Sequence, residues 1–204
     1  NRKTLIIRAD AGVDIGTGHL MRCLALAQAW QAEGGEAIFV TACESGQLIQ
    51  RLRNEGFWVI EVGNIYPDSE DWKITKSVLG TNPDSWVVLD GYHFDPAYQQ
   101  NIQEVGHPLL VIDDMAHLEH YHADLILNQN IHADELDYPC DQQSRLLLGT
   151  EYILLRSEFL TGINWKPEIS EKAHRVLITL GGSDPEDQTL KAVQALQKVE
   201  IDRL

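Results

Sequence analysis

Residues 4–27 read TLIIRADAGVDIGTGHLMRCLALA, and the pattern of apolar residues along them changes twice. Thr4 to Ala9 is rich in β-branched and apolar residues, which favours a strand. Residues 10–18 hold three glycines and show no apolar periodicity, so they predict a loop. Beyond Gly18, apolar residues recur at i, i+3, i+4 and i+7, the spacing of one helix face; they are Leu20, Cys23, Leu24 and Ala27. The stretch therefore predicts a strand, a glycine loop and a helix in succession.

The same alternation continues along the chain. The first helix is predicted to end near Gly34 and Gly35. Further strands are predicted over 37–42, 57–62, 86–89 and 108–112, and helices over 47–55, 68–79 and 96–105. Short strands that alternate with helices indicate right-handed βαβ units and a parallel sheet with helices on both faces. The fold class is therefore α/β, with a Rossmann-like parallel sheet.

The pattern changes beyond Ala123. Residues 124–127, 145–148 and 152–155 are predicted as short strands or extended pieces. Residues 161–174 contain glycine, proline and several charges without a period, which indicates an interdomain linker. A strand over 175–180 and a helix over 186–198 then open a new unit, which cannot bury its own faces. We therefore predict a domain over 1–160, a linker over 161–174 and the incomplete start of a second domain over 175–204.

Composition narrows the possible partners. The 204 residues carry a formal net charge of −15, which disfavours nucleic acid and anionic membranes as partners. No apolar run approaches the ~20 residues of a membrane span, and the first residues lack the apolar segment of a signal peptide, so we expect a cytoplasmic protein. Three widely spaced cysteines argue against a disulfide framework and against a cysteine-rich metal site.

The first glycine loop is the main candidate site. Gly16 and Gly18 allow the backbone to approach a ligand closely, and the following helix offers free N–H groups and a positive dipole end. His19 lies in the first turn of that helix, and a neutral imidazole there can act as a general base. Alternatively, the glycines only shape a turn and His19 caps the helix. The loop is not the dinucleotide motif G-x-G-x-x-G, because Met21 occupies the third glycine position.

The order of motifs carries a resemblance over nearly the whole chain. RAD at 8–10 and IGTGHLMRCLALA at 15–27 are followed by VLDGY at 88–92, VIDD at 111–114, NQN at 128–130, LG and YILLR within 148–156, and GGSDP at 181–185. This series resembles the UDP-2,4-diacetamido-2,4,6-trideoxy-β-L-altropyranose hydrolases of pseudaminic acid synthesis and the related spore-coat polysaccharide proteins. The long first motif is the most specific of the series.

The resemblance implies a two-domain fold of the glycosyltransferase-B type, with catalysis in the N-terminal domain and UDP held mainly by the C-terminal one. It implies hydrolysis at the anomeric carbon of a UDP-linked amino sugar, without a cofactor or a metal. His19 matches the family's catalytic histidine, and Tyr92 matches an active-site tyrosine. Gly16, Thr17 and Gly18 are expected to shape the cleft; Arg8 and Asp10 are expected to orient the sugar or the histidine.

Several other polar residues are candidates for the site, and some of them have two possible roles. Asp90 shares a strand end with Tyr92, and we expect it to contact the substrate. Asp113 and Asp114 either work as acid and base or cap the next turn. Arg156 pairs either with a phosphate or with Glu158. A phosphate-binding loop is predicted at Gly181, Gly182 and Ser183, between a strand and a helix.

Two local features depart from the expected pattern. Gly91 stands where we expect a larger polar residue in many relatives, so the sugar recognised at that corner can differ. Residues 117–122, HLEHYH, are dense in histidine, but no partner residue has a convincing ligand spacing. We therefore expect a solvated loop there and no metal site.

Three functions remain open. The preferred one is hydrolysis of a UDP-linked deoxyamino sugar, with release of UDP and free sugar. The first alternative is a glycosyltransferase that delivers the sugar to a polysaccharide or lipid, which an enlarged hydrophobic acceptor groove would favour. The second is a sugar-binding module without catalysis. We expect residues 1–204 by themselves to be weak or inactive, and the sequence shows no oligomer interface.

Overall fold

The computed structural model describes residues 3–173, 175–180, 184 and 186–198. Its strands are β1 (Thr4–Ala9), β2 (Glu36–Thr41), β3 (Trp58–Glu61), β4 (Trp86–Asp90), β5 (Leu109–Ile112), β6 (Leu125–Asn128) and β7 (Arg145–Leu148). Its α-helices are α1 (Gly18–Ala32), α2 (Gly46–Asn54), α3 (Ser69–Gly80), α4 (Pro96–Glu104), α5 (Ser157–Leu160) and α6 (Gln188–Leu196). Short 3₁₀ turns span Ala133–Glu135 and Thr150–Tyr152.

The strands form one parallel sheet in the order β3-β2-β1-β4-β5-β6-β7. This confirms the predicted α/β class with a Rossmann-like sheet. The chain extends from β1 towards β3 on one side and then crosses back to β4 on the other side. Ligands of open parallel sheets bind where the strand order reverses, beyond the carboxyl ends of the strands. Here that crevice lies between the ends of β1 and β4.

Both faces of the sheet are covered, as the near-continuous apolar strands predict. Leu5 and Ile7 of β1 pack in a cluster with Leu20 of α1 and with α2. The intervening Ile6 packs in the opposite cluster with residues of α3 and α4. Arg8 shares the face of Ile6 because strand side chains alternate with a period of two. A buried arginine therefore lies on the α3 side of the central strand.

The start of α1 differs from the starts of α2 and α4 in its side-chain capping, and this difference bears on the site. Asp95 caps α4 by accepting a hydrogen bond from the Tyr98 backbone N–H at 2.9 Å, and Ser45 caps α2 in the same manner. By contrast, within the described residues the Thr17 side chain makes no capping hydrogen bond to α1, and the first turn of α1 contains no acidic residue. The positive end of α1 is therefore left for another group.

One predicted strand is wrong, and one segment takes the other of its two predicted forms. Residues 152–155 are an extended piece rather than a strand, because the Leu154 backbone N–H donates to the Gln129 side chain at 2.8 Å rather than to a neighbouring strand. The described residues 175–180 also form no strand, and no residue of α6 is buried. The division into a domain, a linker and a second unit stays a prediction. In the part of the chain that the structure describes, no helix combines the length and apolar character needed to cross a bilayer.

Candidate active site

The crevice between β1 and β4 holds a histidine–carboxylate pair. His19 enters from the first turn of α1, and Asp90 is the last residue of β4. Nδ1 of His19 lies 2.7 Å from Oδ1 of Asp90. His19 is 7% exposed and Asp90 is completely buried, so water competes little for their hydrogen bond.

Asp90 is held on its other sides by protein donors. Nε of Arg22 donates to Oδ2 at 2.6 Å and Nη2 donates to Oδ1 at 2.7 Å, a bidentate arrangement. The Cys23 thiol approaches Oδ2 at 3.4 Å. Burial alone lowers the pKa of Arg22, but the hydrogen bonds and charge of Asp90 raise it above its ordinary value. Asp90 therefore contacts His19, Arg22 and Cys23 of α1 from beneath the cleft. In this position it supports these side chains and is not part of the protein surface.

These contacts determine which nitrogen of His19 is free. An ionised carboxylate can only accept, so Nδ1 of His19 donates to Asp90 and Nε2 keeps its lone pair. Nη2 of Arg22 is also near Nδ1, at 3.2 Å, but an Nδ1 that carries a proton has no lone pair with which to accept from it. The arrangement leaves Nε2 as the basic atom of the pair.

Tyr92 lies against His19 from the loop after β4. The two rings meet edge to face with centroids 4.8 Å apart, and Tyr92 is 45% exposed. The Tyr92 hydroxyl donates to Oδ1 of Asp114, and Nη1 of Arg22 donates to Oδ2 of the same carboxylate at 3.1 Å. One chain of contacts therefore links His19, Asp90, Arg22, Asp114 and Tyr92.

The ionisation of Tyr92 and Asp114 follows from this chain. Partial burial and the hydrogen bond to Asp114 raise the pKa of Tyr92, so its phenol stays a neutral donor. Burial alone raises the pKa of Asp114, but the Tyr92 hydrogen bond and the charge of Arg22 hold it below its ordinary value. Asp114 is thus an anionic acceptor at neutral pH.

The two adjacent aspartates after β5 have different positions. Asp113 is buried and accepts hydrogen bonds from the Met115 backbone, from Nδ1 of His117 at 2.8 Å and from the Tyr121 hydroxyl. It therefore fixes the turn, which is the second of the two roles considered for the pair. The ring of His117 contacts the ring of Tyr92 with centroids 5.5 Å apart, so this turn also supports the Tyr92 side chain.

The glycine loop folds as a tight turn in front of α1. Gly12 and Gly16 exchange backbone hydrogen bonds of 3.2 and 2.8 Å, and Gly16 has φ +76°. A left-handed φ explains the glycine at position 16. Gly18 needs no such φ, and a Cβ placed there would meet no atom within 4 Å. The space above Gly18, next to Thr17 and the start of α1, is open to a ligand.

Arg8 and Asp10 lie beneath this loop, fully buried. Arg8 binds the carboxylates of Asp10 and Asp71, and its guanidinium stacks over Phe94 at 4.9 Å. Asp10 also contacts Nε2 of His93 at 2.8 Å. Burial alone raises the pKa of Asp10, but His93 and Arg8 lower it below its ordinary value. The two residues expected to orient the sugar or the histidine are thus engaged within the protein and support the loop from below.

Other predicted residues lie elsewhere. Arg156 pairs with Glu158 at 2.8 Å, the second of its two possible roles. The next residue, Ser157, bonds the side chain of Gln28, which lies about 14 Å along α1 from His19. The structure therefore does not bring Arg156 next to the histidine. Gly181, Gly182 and Ser183 lie outside the described residues.

Two grooves lie along the carboxyl edge of the sheet, one on each side of the crevice between β1 and β4. One, of about 390 Å³, is lined by residues 11–15, 42–44 and 62–65 after β1, β2 and β3. The other, of about 350 Å³, lies beyond β5 and β6 and includes Asp114, Asn128, Asn130 and Leu136. His19 lines neither groove, so a ligand held in one of them would have to extend beyond it to reach the histidine.

Sequence reasoning missed Arg22, Asp71 and His93. Arg22 lies three residues after His19, a spacing that places both on one helix face, so the first motif contained this information. Asp71 and His93 meet Arg8 and Asp10 only through the packing of α3 and the β4–α4 loop against the sheet. No spacing in the sequence indicates those contacts.

No family model matches the chain. Over 201 residues it is 27% identical to an uncharacterized protein of Methanocaldococcus jannaschii. This alignment covers 94% of this chain and 39% of that protein. Over 200 residues it is 26% identical to the UDP-2,4-diacetamido-2,4,6-trideoxy-β-L-altropyranose hydrolase of Campylobacter jejuni, covering 97% of this chain and 67% of the hydrolase. The chain thus has a distant similarity to a nucleotide-sugar hydrolase. It spans about two fifths of the length of the Methanocaldococcus jannaschii protein and about two thirds of the length of the Campylobacter jejuni hydrolase.

Among solved structures, a glycosyltransferase from Rickettsia africae has a TM-score of 0.44 and 16% identity, over 55% of this chain and 30% of that one. Acinetobacter baumannii MurG has a TM-score of 0.41 and 15% identity, over 60% of this chain and 41% of MurG. Similarities at these levels carry no information on activity.

Proposed function

We propose that this chain supplies the catalytic residues of a nucleotide-sugar hydrolase, which releases UDP and a free deoxyamino sugar. The observation that carries the proposal is the His19–Asp90 pair in the crevice between β1 and β4. A buried carboxylate 2.7 Å from Nδ1 leaves Nε2 as a base at the place where parallel sheets bind ligands. Tyr92, the second proposed catalytic residue, lies in ring contact with His19.

In the proposed reaction, a water oxygen forms a bond to the anomeric carbon while Nε2 of His19 takes a proton from that water. The bond from the anomeric carbon to the diphosphate oxygen breaks, and its electron pair leaves with UDP. Attack from the face opposite to the leaving group inverts the anomeric configuration. Asp90 stabilises the imidazolium that forms, as carboxylates do for catalytic histidines.

Arg22, Asp114 and Tyr92 have supporting tasks in this proposal. Arg22 fixes Asp90 through two hydrogen bonds, and the fixed carboxylate in turn fixes the orientation of the histidine ring. Asp114 fixes the Tyr92 hydroxyl as a donor, and the exposed part of Tyr92 positions water or sugar. Asp114 also borders the 350 Å³ groove, where it can accept from a sugar hydroxyl.

The glycine loop is proposed to receive the sugar and the start of the diphosphate. The uncapped start of α1 and the open space above Gly18 support this, since helix starts bind anions. The nucleotide itself is proposed to bind a second domain that begins near residue 175. Gly181, Gly182 and Ser183 are its proposed phosphate-binding loop.

The similarity to the Campylobacter jejuni hydrolase supports the choice of substrate class. That protein is named for a UDP-linked 2,4-diacetamido-2,4,6-trideoxy sugar, and the aligned region includes 97% of this chain. We accordingly propose a UDP-linked deoxyamino sugar as the substrate, in the synthesis of a polysaccharide or of pseudaminic acid.

A glycosyltransferase is the second candidate, and one observation favours it. The groove beside Asp114 is bordered by Ile131 and Leu136, which are 72% and 38% exposed. Apolar side chains at a groove can bind the acceptor of a transferase, such as a lipid-linked glycan. The same His19 would then deprotonate an acceptor hydroxyl instead of water.

The two candidates are separated by an assay of the full-length protein with UDP-linked deoxyamino sugars. UDP release without any acceptor supports hydrolysis. UDP release only after a glycan or lipid-linked acceptor is added supports transfer. Binding of the sugar nucleotide without UDP release under either condition contradicts both and leaves a binding module.

A further inference from the structure

We propose a second site, independent of the cleft, in which His120, His122 and Asp141 bind a divalent transition-metal ion of the zinc class. Their ligand atoms all lie within 4.8 Å of one another. Two imidazole nitrogens and a carboxylate oxygen are the donor set that suits Zn²⁺. A water molecule would complete four-coordination.

The fold builds this group from a short parallel pairing. Tyr121 pairs with Cys140 in an isolated parallel bridge, and its N–H donates to the Pro139 carbonyl at 2.8 Å. Tyr121 is completely buried. Since side chains alternate along extended backbone, His120 and His122 lie on the opposite side from Tyr121. Asp141 follows Cys140 and lies on that same side.

The distances are close to those of a metal centre. Nε2 of His120 is 2.9 Å from Oδ1 of Asp141, and Nδ1 of His122 is 3.3 Å from Oδ2. In a tetrahedral zinc site with bonds of about 2.05 Å, neighbouring ligand atoms are about 3.3 Å apart. These two contacts reach different oxygens of one carboxylate, and the ligand atoms as a group lie within 4.8 Å of one another, so the side chains must move closer together to close around an ion. In the metal-free protein, the two rings hydrogen-bond the same carboxylate.

Gln100 is placed to give the supporting contact that ligating histidines usually have. In the metal-free protein its amide nitrogen lies 2.9 Å from Nε2 of His122, the nitrogen that faces away from Asp141, and donates to it. A half-turn of the amide would place its oxygen there instead, where it accepts the Nε2 proton. Nδ1 then presents its lone pair to the metal, which is how second-shell acceptors fix a ligating tautomer.

The partners of the Asp141 carboxylate also suit a cation. Among the described residues, this carboxylate forms ion pairs with His120 and His122. The His19–Asp90 pair differs, because Arg22 already supplies a positive charge to Asp90. Among the residues that the structure describes, His132 pairs with Glu135, which gives a two-ligand contrast on the same molecule.

A bound ion would stabilise the turn behind the cleft. It would join residues 120–122 to residue 141 across the Tyr121–Cys140 bridge. The Tyr121 hydroxyl donates to Asp113, which also binds His117 beside Tyr92. Metal binding is therefore expected to raise the unfolding temperature, because a ligand that binds only the folded state stabilises it.

The test is calorimetric titration of the tag-free, metal-free protein with Zn²⁺, together with unfolding temperatures with and without Zn²⁺. The variants are His120→Gln, His122→Gln and Asp141→Asn, with Gln100→Leu for the supporting contact and His132→Gln as the matched control. Unfolding temperatures without metal show whether each variant is folded. None of these readouts depends on enzymatic activity, so the result is separate from the proposed function.

The proposal predicts one Zn²⁺ per chain and a higher unfolding temperature with Zn²⁺. Each of the three ligand variants should weaken binding at least tenfold, and Gln100→Leu about tenfold, whereas His132→Gln should bind as the unchanged protein does. Absence of saturable binding would overturn the proposal. Equal binding by the folded His120→Gln and Asp141→Asn variants would overturn it as well.

Discussion

Asp90 and His19 are 71 residues apart in sequence, yet Oδ1 of Asp90 lies 2.7 Å from Nδ1 of His19. The contact depends on the parallel register of β1 and β4, in which Ala9 is the partner of Asp90. The chain leaves β1 at Ala9, turns through the glycine loop and returns as α1. That path places the first turn of α1 above the end of β4.

Asp90→Asn tests whether this contact positions the histidine. An amide in place of the carboxylate no longer enforces donation from Nδ1, so we expect kcat to fall about 10²- to 10⁴-fold. KM should change little, because Asp90 is fully buried beneath His19 and Arg22. The measurement is steady-state UDP release by the full-length protein.

The matched control for Asp90→Asn is Asp84→Asn. Asp84 precedes the same strand at the opposite edge of the sheet and is exposed. A rise in KM at constant kcat in Asp90→Asn would indicate a substrate contact instead of a positioning role.

Tyr92→Phe removes the hydroxyl that binds Asp114 and keeps the ring against His19. We expect kcat/KM to fall about 10- to 100-fold, the value of one hydrogen bond to a charged group. Since the pKa of Tyr92 is raised, the hydroxyl stays protonated, and the ratio of wild-type to variant rates should be constant from neutral pH to about pH 10. A ratio that falls to unity in that range would mean that Tyr92 ionises and is not the expected donor.

Asp114→Asn tests the contribution of the ionised carboxylate to stability. The pKa of Asp114 is lowered from 3.8 in the folded protein, so its stabilisation is complete well above pH 3.8 and is lost as the pH falls through the folded value. We expect the variant to be less stable by about 1 kcal/mol at pH 7 and at pH 5. The difference should shrink below about pH 4.

Denaturant unfolding of both proteins across this pH range provides the measurement for Asp114→Asn. A difference that instead grows as the pH falls would have the wrong sign for a lowered pKa.

Gly91→Ala tests why a glycine precedes Tyr92. A Cβ at position 91 would lie 2.7 Å from Cε1 of His93 and 3.0 Å from Phe94, so the His93–Asp10 contact must give way. We expect a loss of about 1–3 kcal/mol in the free energy of unfolding. In a His93→Ala background the same change should cost less, because the clashing ring is gone. An equal cost in both backgrounds would exclude the ring as the cause.

The strand–loop–helix unit at residues 4–27 could be predicted because its determinants are local. Apolar periodicity defines β1 and α1, and the glycines define the loop between them. The alternation downstream then identified β2, β3, β4 and β5 near their observed positions, and the short strands or extended pieces predicted at 124–127 and 145–148 correspond to β6 and β7. Residues 152–155 are the extended piece rather than the strand of the two predicted forms, because their apolar residues face the core from an irregular segment. Tyr152 and Leu154 pack there without pairing in the sheet.

The site could be predicted only in part, because its side-chain partners depend on packing. His19, Asp90 and Tyr92 were identified from motifs, and the structure brings these three together. The buried positions of Arg8 and Asp10 were not foreseen, since nothing local shows that α3 supplies Asp71. Asp141 likewise approaches the histidines at 120 and 122 only through the Tyr121–Cys140 pairing.

The most direct test of the account is UDP release by the full-length protein and its His19→Ala variant, with UDP-linked deoxyamino sugars and no acceptor. The matched control is His107→Gln, since His107 is 6% exposed, as buried as His19, and binds Ser85 at the opposite edge of the sheet. We expect release to fall about 10²- to 10⁴-fold in His19→Ala and to be unchanged in His107→Gln. Equal release by the folded His19→Ala variant and the unchanged protein would contradict this expectation.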